Sequence, residues 1–109
     1  MKKSVVIALA AIVLAIPVMG ISQTQKPYSM PVPKDGFVPN ASTAKAIAEA
    51  VWIPIYGRET ILGERPFKAT LQGDKWVVNG TLKKGYVGGV ATIEISKTNG
   101  QILRVSHGK

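Results

Sequence analysis

The chain has no cysteine, which excludes thiol catalysis, cysteine-held metals and the disulfides on which small exported domains often rely. Histidine is nearly as scarce, with His107 alone near the C-terminus. One histidine and six scattered acidic residues provide no metal-ligand spacing, and no motif for a cofactor accompanies them. Acidic residues are outnumbered by 14 lysines and arginines, for a net charge of +8. Aromatic residues make up only 6%, so each of the two tryptophans carries a large share of any core.

No apolar run is long enough to span a bilayer. The longest, Val5–Val18, is interrupted by Pro17 and falls short of the roughly 20 residues a span needs. It follows the basic start Met1-Lys2-Lys3 and ends in small or modest residues, the pattern of a secretory signal peptide over residues 1–20. Cleavage is expected after Gly20, with Ser22 as the second choice; a retained anchor is the alternative. Without a cysteine after the block, a bacterial lipoprotein is excluded. Cleavage removes Lys2 and Lys3 and lowers the charge from +8 to +6. The expected product is periplasmic or secreted, with no stable membrane insertion.

Residues 21–35 contain Pro27, Pro31 and Pro33, each of which holds its predecessor extended. They read as a flexible leader that ends in a turn at Asp35-Gly36, ahead of a domain over residues 36–109. Asn40 or Ser42 is placed to cap a helix. Ala44, Ile47, Ala48, Val51 and Trp52 then recur at three- and four-residue spacing. Pro54 and Gly57 predict an end or kink near Ile53, with a last turn to Tyr56.

Beyond Arg58 the period becomes two. Phe67, Ala69 and Leu71 alternate with polar residues before a turn at Gly73-Asp74. A second strand is expected over Lys75–Leu82, with Trp76, Val78 and Gly80 on one side. A third alternates Ala91, Ile93 and Ile95 with Thr92, Glu94 and Ser96. Asn99-Gly100 is a hairpin signal, and a fourth strand follows over Ile102–His107, with Leu103 and Val105 on one face. The expected architecture is α+β, one N-terminal helix covering a four-stranded antiparallel meander.

Lys83 and Lys84 precede Gly85, Gly88 and Gly89, which invites a phosphate-loop reading. Such a loop must open a helix, whereas these glycines precede a strand. They predict a bulge or the close approach of another backbone. His107 reads as a surface residue, and Glu59 and Glu64 as solvated carboxylates; together they are the only players open to a competing hydrolase reading. Trp52, Trp76 and Tyr56 fit the core better than a ligand pocket. The lysines are scattered rather than striped, and an exported chain seldom meets nucleic acid, so no nucleic-acid partner is expected.

Ordered segments of the chain resemble a known family. "GFVPNASTAKAIAEAVWIPIYG", "RPFKATLQGDKWVVNGTL", "GGVATIEISKTNGQIL" and the terminal "HGK" are similar to the bacterial immunity proteins with a nuclear-transport-factor-like fold. The matching positions are Ala44, Ile47, Ala48, Tyr56-Gly57, Pro66-Phe67, Trp76, Val78, Gly80, Thr81, Gly88, Gly89 and Ile93. The resemblance implies a reduced, cystatin-like version of that fold. It also implies a non-catalytic protein that neutralises a cognate bacterial toxin. The stretch "ATIEISKTNGQILRV" also resembles a strand pair of exported peptidase-inhibitory propeptide domains, so the alternative is an inhibitor or binder of a wall-associated enzyme. On either reading Arg58, Arg65, Lys83, Lys84 and Tyr86 are the candidate contact residues. The basic balance selects a protein partner with an acidic surface.

Overall fold

The computed structural model describes residues 29–109. The expected signal peptide and residues 21–28 of the proline-rich leader lie outside the described residues. The rest of that leader, 29–35, is exposed, and Val32–Lys109 is one compact unit.

Helix α1 spans Ala41–Tyr56. Asn40 caps it, its side-chain oxygen accepting from the Thr43 N–H at 2.9 Å and so satisfying one orphan donor of the first turn. Five alanines with Ile47 and Val51 carry the helix forward. Pro54 does not end it. The missing Pro54 N–H leaves the carbonyl of Ala50 without its helical donor, and Ala50 is exposed, so water can serve that carbonyl. The Gly57 N–H then closes the helix on the Ile53 carbonyl at 2.8 Å. A second helix, α2 over Arg58–Leu62, stands where the alternating pattern was expected to begin. The fully buried Ile61 anchors it, and Gly57, at φ 98°, is the joint between the two helices.

Four strands follow: β1 Lys68–Gln72, β2 Lys75–Asn79, β3 Ala91–Ser96 and β4 Ile102–His107. They form an antiparallel sheet in sequence order. Register sets three rows on the face that carries the core. Ala69, Val78, Ile93 and Val105 make the first row, and Leu71, Trp76, Ile95 and Ile102 the second. Ala48 and Trp52 of α1 join Trp76, Val78, Ile93 and Ile95, the middle of these rows, in one buried cluster, while Leu71 and Ile102 on the edge strands stay exposed. Trp52 meets Phe67 edge to face at 5.1 Å, and the Trp76 indole N–H donates to the Val38 carbonyl at 2.8 Å. Both tryptophans are core residues, as the spacing predicts.

Three boundaries differ from expectation for physical reasons. Strand β2 stops at Asn79 rather than Leu82, because the Thr81 N–H turns away to the Glu64 carbonyl at 2.8 Å. A register shift at Glu94/Ile95 breaks the alternation of Leu103 with Val105, and Leu103 is left 47% exposed. The β3–β4 turn is longer than a two-residue Asn-Gly hairpin, with Ser96 bonded to Gln101 across it at 2.8 Å.

Candidate functional site

The third row of the sheet builds the site. Gly80 bonds to Ala91, and Ala91 faces His107, so the row runs small, small, histidine. The space this leaves is taken by Glu64, which arrives from the turn after α2. A Cβ on Gly80 would collide with the Glu64 side chain, its own Cβ 2.9 Å away. Glycine at position 80 is therefore what admits the carboxylate.

Glu64 is buried and fully engaged. Its Oε1 accepts from the Ala91 N–H at 2.7 Å, and its Oε2 lies 2.8 Å from His107 Nε2. The other ring nitrogen, Nδ1, faces the Gly108 carbonyl at 2.7 Å, and the ring leans on Tyr56 with centroids 5.0 Å apart. This corrects two expectations: Glu64 is not a solvated carboxylate, and His107 is not a free surface residue. Buried carboxylates need partners, and Glu64 obtains them from two strands, 27 and 43 residues away in sequence. No local pattern could signal a pairing at those separations.

The geometry also bears on catalysis. Both ring nitrogens of His107 face acceptors within the fold. Thr81, two residues past the end of β2, donates its hydroxyl to the Pro66 carbonyl at 2.6 Å. The Glu64–His107 pair is a structural clasp.

Two acceptors facing one imidazole favour the doubly protonated ring. The Gly108 carbonyl first, then the Glu64 carboxylate, raises the His107 pKa above its ordinary 6.5. A raised histidine stabilises the fold fully below the unfolded-state value, and this contribution is lost as pH rises through the folded-state value. The melting temperature of the parent is therefore expected to fall as pH rises from the ordinary histidine value of about 6.5 through the raised folded-state value, and that of His107→Gln to change less. Parallel melting curves across this range would show that the clasp does not depend on protonation.

The tail beyond His107 explains the paired glycines. The Gly108 N–H donates to the Val90 carbonyl at 3.2 Å, and a Cβ on Gly108 would sit 2.9 Å from the Gly89 Cα. Two backbones touch here, as expected of glycines at the start of a strand. The loop that these contacts secure at its base, Thr81–Gly89, forms one wall of a cleft of about 280 Å³. Glu59, Thr60, Gly63 and Glu64 form the other.

Of the five candidate contact residues, the cleft brings together Lys83 and Tyr86, with Lys84 on the same loop. Tyr86 is 67% exposed. Arg58 is exposed at the start of α2 and does not line the cleft. Arg65 points elsewhere: its guanidinium grips both oxygens of Glu49 on α1 at 2.7 and 2.8 Å. Lys75 is likewise paired, with Glu94, at 2.8 Å. Sequence reasoning did not pick out Val87, which is 93% exposed; the apolar pair Tyr86-Val87 bracketed by Gly85 and Gly88 was the available signal. Among the described residues no three His, Asp or Glu side chains converge to hold a metal, and no helix is long and apolar enough to cross a membrane.

A family model described as an NTF2 fold immunity protein matches residues 43–109, which takes in most of α1, α2 and the whole sheet. The chain is also similar to the uncharacterized protein YhhH of Escherichia coli (strain K12), with 38% identity over 73 residues. That match covers 66% of this chain and 58% of YhhH, so the chain spans little more than half the length of that relative. No solved structure matches it.

Proposed function

We propose, because this chain belongs to the NTF2 fold immunity protein family, that it neutralises a cognate bacterial toxin by binding it and catalyses nothing. The observation that carries this reading is the family match across residues 43–109. The closed clasp of Glu64 and His107 supports it, since it occupies the only histidine. Turnover of general hydrolase substrates that disappears in His107→Ala would overturn the non-catalytic part.

The partner presents an acidic surface. Lys83 and Lys84 are exposed, and neither is in an ion pair among the described residues. Exposed charges of one sign raise the association rate with a surface of the other. Nuclease inhibitors tend towards the opposite sign, because they mimic a polyanion, so a target acting in the periplasm or wall fits this chain better. Such a site of action agrees with export, which the basic and apolar start of the sequence supports. N-terminal sequencing of the exported protein checks this; intact Met1 in the membrane fraction would contradict it.

The binding itself is tested with the purified product of the gene adjacent to this chain's own. Stable capture of that product by this chain is expected, and retention of polyanionic polymer with no protein would replace toxin binding with anion binding. Lys83→Glu with Lys84→Glu is expected to slow association and flatten its salt dependence, since exposed charges are screened beyond about 10 Å at 0.1 M salt. An unchanged rate at every salt concentration would leave these lysines a role in solubility alone.

A further inference from the structure

We infer that the loop Thr81–Gly89 is the segment that enters the partner, with Tyr86 and Val87 as an apolar plug and Lys83 and Lys84 as its basic collar. The inference rests on the binding role proposed above and adds the face and its complement. The partner it fits is a protein with an apolar depression rimmed by carboxylates.

Four observations support it. Val87 and Tyr86 are 93% and 67% exposed, next to each other in the loop. Gly85 at φ 87° and Gly88 at φ 125° flank the pair, in backbone conformations that L side chains rarely adopt, and so shape the projection. The base of the loop is fixed on both sides. Thr81 is held by the carbonyls of Glu64 at 2.8 Å and Pro66 at 2.6 Å, and Gly89 is packed against Gly108. Within the loop the Tyr86 N–H closes a turn on the Lys83 carbonyl at 3.0 Å. A projection held in place before binding loses little conformational freedom on docking, and a central aromatic in a desolvated pocket is the usual form of a binding hot spot.

The cleft beside Tyr86 separates a protein partner from a lipid surface. Anionic headgroups would also attract two lysines and accept two apolar side chains. A bilayer, however, presents no protrusion to fill a cleft of about 280 Å³, whereas a protein surface meets a plug and a hollow together. Lys83 lines that cleft and so places positive charge where the partner's rim must sit.

The test uses the full chain and the purified product of the adjacent gene, with binding kinetics measured for the parent and two variants. Tyr86→Ser with Val87→Ser is expected to weaken binding about 30-fold, mostly through faster dissociation. Gln72→Ser, at an exposed position where β1 turns into β2, the end of β2 remote from the loop, is expected to bind like the parent. Both variants are expected to melt near the parent temperature, since the side chains they change are mostly exposed. Equal affinity for parent and double variant would overturn the docking loop and leave the toxin-binding role standing. Failure of the parent to bind would overturn that role and the inference with it. Retention of the parent on phosphatidylglycerol vesicles, lost in the double variant, would overturn the inference by assigning the loop to membranes.

Discussion

Trp76→Ala is expected to leave little folded protein at physiological temperature. Trp76 is 8% exposed and sits in the second core row between Leu71 and Ile95. Truncating a buried tryptophan costs about 3–5 kcal/mol, against a total of about 5–15 kcal/mol for a domain. A small domain without disulfides lies near the lower end of that range. The loss exceeds packing alone, because the indole N–H also serves the carbonyl of Val38 at 2.8 Å. Val38 is itself buried, and its N–H is bonded to Lys97 at 3.1 Å, so the segment ahead of α1 comes loose with the ring. Trp76→Phe separates the effects: it retains most of the apolar area, loses the hydrogen bond, and is expected to cost about 1–2 kcal/mol. Urea unfolding of both variants checks this. An alanine variant that unfolds at the parent midpoint would show that the second row is not part of the cooperative core.

Gly80→Ala is the second large effect, although it adds a single methyl group. The new Cβ would meet the Glu64 carboxylate, which cannot stay where it is. Moving Glu64 strands the Ala91 N–H and removes the partner of His107 Nε2. Overpacking costs about 1–3 kcal/mol, and an unsatisfied buried donor adds about 1–3 kcal/mol. Gly73→Ala is a useful contrast. Its Cβ would meet nothing within 4 Å, and its cost comes only from a φ of 61°, about 1 kcal/mol. Gly80→Ala should therefore unfold well before Gly73→Ala in the same denaturant series. Its His107 should also titrate closer to the ordinary value. A Gly80→Ala protein as stable as Gly73→Ala, with His107 unmoved, would mean that Glu64 has room to spare.

These two residues also show how far the sequence could be read. Trp76 was legible because local periodicity reports burial directly: it alternates with Lys75 and Val77, and the structure buries it between them. The alanine spacing of α1 and the alternation of β3 were legible for the same reason. The alternation placed Gly80 on the core side, but its reason was hidden, since a glycine that admits a distant carboxylate looks like any other. Helix α2 was missed because five residues are too few to show a period. The clasp of Glu64 and His107 joins residues 43 positions apart, and only the register of β3 and β4 brings them together. Of the candidate contacts, Lys83, Lys84 and Tyr86 fall on one loop, while Arg65 was drawn off by Glu49, an intramolecular pairing that charge counting cannot foresee.

The central claim is neutralisation by binding, and the most direct measurement titrates the purified product of the adjacent gene with this chain while following that product's toxic activity. Activity is expected to fall in proportion to added chain and reach background near one equivalent. It should persist when the Tyr86→Ser, Val87→Ser protein is added instead. Toxic activity that remains undiminished under a large excess of the folded parent chain would contradict the account.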